Sequence, residues 1–329
     1  MQLTLLAPGL LWPREILRDA TFDLPLPALS TLLGRGRGSP LAGIDDWLAE
    51  AFELPAPLPA APLRLLGDGG TPGEDVWLCL DPIHLRVDER GMTIDGPDRL
   101  GLDADEDAAL RQSLAALLAE KPVAPVPGRW HLRLAEPAAL ETLPLERAVG
   151  RPAVPDLPAG PDGPRWRRLL AEAQPLLHAD AVNRRRDDDG RPTANSLWPW
   201  GSGRLPTAAR RAFDRLLADD PVIRGLGRLA GIDSTPLPER FEAMSGTVLA
   251  RYAELAAPAA AFDAMAWRDA LAAFERDWLA PVLAALRSGT VRRLTLIAEG
   301  NGQATAITVG RGDLLRFWRK PLDLAELPA

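Results

Sequence analysis

His178-Ala179-Asp180-Ala181-Val182-Asn183-Arg184-Arg185-Arg186-Asp187-Asp188-Asp189-Gly190-Arg191-Pro192-Thr193-Ala194-Asn195-Ser196-Leu197-Trp198-Pro199-Trp200-Gly201-Ser202-Gly203 is the most strongly patterned polar segment of the chain. His178 is the one histidine in a strongly polar setting, with Asp180, Asn183 and Arg184 to Arg186 close behind, which makes it the candidate functional histidine. Arg184 to Arg186 is also the most basic run, and Asp187 to Asp189 cancels it at once. Asp187-Asp188-Asp189-Gly190 resembles half a calcium loop without the closing carboxylate, so a solvated acidic turn is expected. A helix is predicted before the segment, over Trp166 to Leu177. A polar loop is predicted through Asn195 to Pro206, and a further helix from Thr207 to Leu217. Gly201-Ser202-Gly203 could then aim backbone N–H groups and a helix dipole at an anion. Neither a GxGxxG nor a GxxxxGK[ST] pattern supports that, and an ordinary turn fits equally. Trp198 and Trp200 flank Pro199, where they could wall a pocket or lock the segment to the core.

Working outward, the chain has 329 residues, with 45 acidic against 38 basic side chains and a net charge of −7. Three histidines and one cysteine exclude disulfide frameworks, thiolate zinc sites and dithiol redox centres, and leave Asp and Glu to supply most of any metal site. The acidic balance argues against nucleic acid and anionic membrane as partners. Only Lys121 and Lys320 are lysines, a bias that reads as a GC-rich bacterial genome. The opening apolar run to Trp12 has no preceding positive charge or cleavage site and reads as a buried strand ending in a Pro8-Gly9 turn. With one cysteine and no export signal, the cytoplasm is the expected compartment.

Short helices are predicted over Leu29 to Leu33 and Ile44 to Phe52, separated by a Gly34 to Gly38 loop. Pro55, Pro57, Pro59 and Pro62 forbid regular structure and suggest a crossing between subdomains. Strands follow at Val76 to Leu80, Ile83 to Val87 and Met92 to Ile94, then a helix from Asp103 to Glu120 and a strand at Arg129 to Leu134. A Pro/Gly-rich loop from Gly150 to Pro164 closes this middle region. Val222 to Leu229 is expected as a strand and Trp267 to Leu286 as a long helix. The end is expected as a hairpin around Gly300-Asn301-Gly302, with a last strand at Leu314 to Trp318. Cys79 lies in an apolar strand and reads as an inert buried thiol. His84 reads as a loop or edge residue on the opposite face from Asp81, and His131 as the solvent side of its strand.

The quoted segment resembles the H-P-V-N-x-x-R-x-x-x-G-x-x-P-A-N-x-[IL]-x-x-x-G-x-G motif of archaeal-type cofactor-independent phosphoglycerate mutases. Weaker similarity covers most of the chain. Pro27 to Leu33 is similar to that family's T-P-N-L-D-x-L helix, Trp77 to Leu118 to its inserted domain, and Val222 to Gly231 to its V-x-G-I-A-x-x-x-G strand and helix. The whole pattern also looks like the bacterial RpfE-type regulatory proteins. The resemblance implies an α/β fold: an alkaline-phosphatase-like core sheet flanked by helices, residues 1–66 and 164–329, with a smaller inserted α/β domain over 67–163. It also implies phosphomonoester chemistry at two divalent metals, where carboxylates and histidines converge to polarise phosphoryl oxygens for serine attack.

The departures fall where that chemistry would sit. The family's metal-binding Asp-Gly after its first strand is matched here by Pro8-Gly9. Its D-x-x-x-H should fall near Tyr252 to Phe262, where Glu254 is followed by seven residues of Ala, Leu and Pro. Its Asp-His pair should lie near Ala298-Glu299-Gly300, yet no histidine follows His178. Ser39 is the nearest serine to the expected nucleophile position.

Three readings follow. The first is a degenerate mutase-like protein, a cytoplasmic binding or regulatory protein with neither catalytic residues nor cofactor. It would retain a phosphoester or anion pocket of His178, Asn183, Arg186, Asn195, Gly201, Gly203 and Arg204, and its partner would be a phosphorylated small molecule or a protein. The second is an active mutase or phosphomonoesterase with divalent metal on a rebuilt site drawn from Asp23, Asp45, Asp46, Asp68 or Asp233. The third is an interaction module in which the polar segment is only a brace.

Overall fold

The computed structural model describes residues 1–88, 91–150, 158–300 and 302–327. The expected Gly150 to Pro164 loop lies partly outside them, as does the tip of the terminal hairpin, Asn301. Strands occupy Gln2–Pro8 (β1), Arg37–Leu41 (β2), Val76–Asp88 (β3), Gly91–Asp95 (β4), His131–Leu134 (β5), Ser196–Arg204 (β6), Arg215–Leu217 (β7), Ser234–Thr235 (β8), Thr247–Arg251 (β9), Arg293–Gly300 (β10) and Gln303–Gly310 (β11). The chain divides into two compact units, Met1–Leu58 with Ala208–Ala329, and Pro59–Thr207. The second is wider at both ends than 67–163, and its first boundary falls in the proline stretch.

The first unit carries a seven-stranded sheet in the order β2-β11-β10-β1-β9-β7-β8. β1 pairs in parallel with β10 on one side and β9 on the other. A parallel strand covered on both faces must be apolar almost throughout, and Leu3, Leu5, Leu6 and Ala7 are indeed buried. The helical stretch Ala264–Ser288 lays Trp267, Leu271, Phe274, Trp278 and Leu286 into this core. One π-helical turn, Glu275–Leu279, interrupts it. Within that turn the buried Glu275 carboxylate accepts from Ala28 N (2.6 Å) and Leu29 N (2.9 Å), so it caps the Pro27–Arg35 helix, which has no side-chain cap of its own. Burial pushes the Glu275 carboxyl above its ordinary value, against the effect of those two donors.

The second unit is a smaller antiparallel sheet in which β3 pairs with β4, β5 and β6. Its core joins Leu78, Leu110, Trp130, Trp166, Leu177 and Leu197. Asp103 opens the Ala104–Leu114 helix with a complete capping box to Glu106.

Four sequence expectations are corrected. The predicted loop at Asn195 to Pro206 is largely β6, whose Trp198, Pro199 and Trp200 are buried against β3; a proline is tolerated because β6 pairs on one side only. The predicted helix over Thr207 to Leu217 is absent; irregular backbone leads into β7. Val222 to Leu229 is not a strand but part of the helix Pro221–Ala230. Asp220 caps it through Ile223 N at 2.9 Å, Pro221 starts it and Gly231 ends it in the left-handed region, start and stop signals that outweigh β-branched content. Leu314 to Trp318 forms no strand: one helical turn, Arg311–Leu314, runs into an exposed turn. β2 was not foreseen, because Arg37-Gly38-Ser39-Pro40-Leu41 has little strand propensity and forms only through pairing with β11.

Candidate functional site

The quoted polar segment folds as the end of the helix Gly163–Ala179, the helix Ala181–Asp188 and β6. Asn183 and Arg186 are buried, Asn195 is half-buried, and His178 and Arg204 are exposed. Asn183 donates to Leu177 O (2.7 Å) and Ala194 O (2.8 Å) and accepts from Ala194 N (2.9 Å). Arg186 donates to Pro192 O (2.8 Å), to Glu106 Oε2 (2.5 Å) and to Leu100 O. Asn195 mimics a strand partner, accepting from Leu85 N (2.7 Å) and donating to Leu85 O (3.0 Å). Arg204 donates to Glu74 O, and the Ser202 hydroxyl between Gly201 and Gly203 accepts from Ala138 N. Asn183, Arg186 and Asn195 therefore turn their hydrogen-bonding capacity inward, and the helix that was to aim Gly201-Ser202-Gly203 at an anion does not form. These three side chains thereby tie the segment to its own unit, while His178 and Arg204 stay at the surface.

Sequence reading missed the main polar centre of the same unit. Arg64, on the helix Ala60–Gly67, meets Asp81 of β3 in a bidentate pair at 2.6 and 2.7 Å, both side chains buried. Asp81 also accepts from Trp130 N (3.0 Å) and Trp200 Nε1 (2.8 Å), and Arg64 donates to Trp130 O and lies 5.1 Å from the Trp200 ring centre. Burial disfavours the Arg64 charge, but Asp81, together with the neighbouring Cys79 and Asp68, holds the guanidinium above its ordinary value. His131 is wholly buried rather than on the solvent side of β5. Its Nε2 accepts from Arg64 Nε (3.1 Å), and burial followed by the Arg64 charge pushes the imidazole down to about 2. A lone arginine in Ala60-Ala61-Pro62-Leu63-Arg64-Leu65-Leu66, and a lone aspartate after Val76 to Leu80, were the available signals. Cys79 is buried with its thiol pushed up by desolvation, as expected, and His84 is half-buried with Nδ1 on Thr193 O.

In the first unit, the carboxyl ends of β1, β9, β7 and β10 all point one way, and open α/β sheets bind ligands at that edge. Around β1 this edge is closed by packing. A side chain at Gly9 would meet Leu255 O at 2.5 Å, and one at Gly300 would collide with the Leu11 backbone. Trp267 Nε1 donates to Gly9 O (2.8 Å), and the Trp12 ring lies 4.9 Å from Trp267. Glu299 turns its carboxylate to Ile44 N (3.0 Å) and caps the Ile44–Ala51 helix. Farther out, a cavity of about 390 Å³ is bordered by Asp219, Arg251, Tyr252, Glu254, Asp277 and Trp278, with no serine, cysteine or histidine. Burial and the charges of Glu254 and Asp277 push the Tyr252 hydroxyl up to about 12, so it is no base near neutral pH.

The residues around β1 do not fit a two-metal centre. Pro8 and Gly9 offer no carboxylate, Glu299 is engaged as a cap, and the Leu255 backbone fills the space beside Gly9. Among the described residues no three His, Cys, Asp or Glu side chains converge to hold a metal ion. Of the alternative carboxylates, Asp23 pairs with Arg268 and Asp68 with Arg129. Ser39 lies exposed on β2.

The architecture is alkaline-phosphatase-like. The PH0037 protein of Pyrococcus horikoshii superposes with a TM-score of 0.51 at 13% identity, over 98% of this chain and 91% of its own. The cofactor-independent phosphoglycerate mutase of Thermoplasma acidophilum gives 0.49 at 15% identity, over 99% and 94%. No family model matches the chain.

Its curated relatives are 2,3-bisphosphoglycerate-independent phosphoglycerate mutases. That of Methanosarcina mazei is 27% identical over 232 residues, 63% of this chain and 57% of the relative. That of Methanosarcina barkeri is 28% identical over 142 residues, 40% and 36%, and that of Methanopyrus kandleri 33% over 122 residues, 33% and 28%. The matches thus span from under a third to somewhat over half of the relatives' length. The chain is phosphoglycerate mutase-like. No helix among the described residues is long and apolar enough to cross a membrane.

Proposed function

We propose that this chain is a phosphoglycerate mutase-like protein without two-metal chemistry, working in the bacterial cytoplasm as a binding or regulatory protein of the RpfE type it resembles. The observation that carries the reading is the closure of the sheet's carboxyl edge around β1, where Gly9 packs on Leu255, Gly300 on Leu11, and Glu299 caps a helix. Metal-assisted phosphoryl transfer needs ligands and space at one point, and neither proline nor a packed glycine supplies them. The test is metal analysis of the purified protein, with assays on 3-phosphoglycerate and a generic phosphomonoester in added manganese. Substoichiometric metal and no metal-dependent turnover are expected. Stoichiometric metal with turnover would establish the active-enzyme reading instead.

A further inference from the structure

We propose that the arginine-lined hollow beside β2, with the neighbouring Leu315 to Trp318 turn, docks an acidic, partly apolar segment of a protein partner. The hollow, about 800 Å³, is bordered by Arg37, Arg292, Arg293, Arg311 and Arg316 against a single carboxylate, Asp313. Asp313 is buried, accepts from Gly310 N (2.9 Å), and pairs with Arg37 (3.5 Å) and Arg316 (3.3 Å). Among the described residues the guanidinium groups of Arg292, Arg293 and Arg311 have no acceptor. So local positive charge stands uncompensated on a chain whose net charge is −7. The floor is equally unlike a sealed core: the register sets Arg37 and Thr308 side by side on one sheet face, with the threonine half-buried.

Beside it, three large apolar side chains lie in the open: Leu315 at 73%, Phe317 at 82% and Trp318 at 68% exposure. The Phe317 and Trp318 rings meet edge-on at 5.3 Å. The turn is fastened by Arg319 to Gly36 O (3.1 Å) and by Arg35 to Leu314 O, so these side chains are presented on a held loop. Arginine forks recognise carboxylates bidentately, and arginine with tryptophan dominates the energetic centres of protein interfaces. A small phosphorylated ligand would leave Phe317 and Trp318 unused. A nucleic acid spans many screening lengths and would also lie along the acidic remainder of the chain, whereas a short acidic segment sees mainly the local patch. This inference stands apart from the loss of catalysis.

The experiment is fluorescence anisotropy of the full chain with a labelled peptide of alternating glutamate and leucine. The same peptide with lysine for glutamate, an oligothymidylate, and inorganic phosphate as competitor form the other arms. Binding of the glutamate peptide that weakens with salt is expected, about tenfold poorer in the Arg292→Glu, Arg293→Glu, Arg311→Glu variant and severalfold poorer in Phe317→Ser, Trp318→Ser. Circular dichroism checks that the variants fold, and hydrogen exchange of the wild type with and without peptide should show protection at 35–41 and 311–319 without any substitution. Absence of binding at millimolar peptide, or indifference to the charge reversal, would overturn the proposal. Tighter binding of the oligothymidylate, full displacement by phosphate, or a concentration-dependent dimer lost in the charge-reversal variant would each assign the surface to a different occupant.

Discussion

Replacing Asp81 by alanine should be among the most destabilising single changes available to the second unit. The substitution removes a carboxylate that is fully buried and makes four hydrogen bonds, two to Arg64 and one each to Trp130 N and Trp200 Nε1. It leaves Arg64, itself 5% exposed, as an unpaired charge, and Trp130 N and the Trp200 indole without an acceptor. Breaking a buried pair from one side costs about 3–5 kcal/mol, against a total stability of roughly 5–15 kcal/mol for a domain. The orphaned donors keep the expectation at the upper end of that range. Urea unfolding at pH 7, followed by tryptophan fluorescence and by limited proteolysis, reads the loss. The double variant Asp81→Leu, Arg64→Met removes both charges and should recover at least half of it, since apolar residues of similar volume replace such pairs at little net cost. A loss below about 1 kcal/mol, or a double variant no better than the sum of the singles, would refute the reasoning.

Three further outcomes follow from buried groups. His131 stays neutral in the folded chain down to about 2. Above the ordinary histidine value both states are neutral; below it only the unfolded state takes up the proton, so stability falls as pH drops. Between pH 7 and 5, urea unfolding should therefore show wild type losing about 2 kcal/mol more than His131→Gln, and equal losses would exclude a buried neutral imidazole. Cys79 should react with an aromatic disulfide reagent only as the second unit unfolds, and rapid labelling in native buffer would contradict its burial. Glu275→Ala should destabilise the first unit by about 1–3 kcal/mol, because Ala28 N and Leu29 N lose their acceptor; a midpoint unchanged in denaturant would show that cap to be unimportant.

Local signals carried much of the fold. The apolar run of β1, the terminal hairpin strands and the Asp103 cap are legible because periodicity, turn residues and capping act over a few positions. The helix Pro221–Ala230 was legible too, in Asp220, Pro221 and Gly231, but the β-branched pair Val222-Ile223 drew the reading toward a strand. β2 and β6 were not, since their hydrogen bonds go to strands far away in sequence. The partners of the candidate site's side chains were not legible for a related reason. Asn183, Arg186 and Asn195 carry the residue types of a binding site, and whether such donors face a ligand or the protein depends on which carbonyls the fold brings to them.

By itself the sequence determined that any metal site would have to do without histidine after His178, because composition bounds chemistry whatever the fold. It also determined the α/β class. Only the tertiary structure decided that Gly9 and Gly300 are packed shut against Leu255 and Leu11, that Arg64, Asp81 and His131 share one buried centre, and that arginines from β2, β10 and the turn after β11 gather on one open face. Each of these brings together side chains distant in the chain, and burial, charge pairing and steric closure are properties of that proximity rather than of any local stretch.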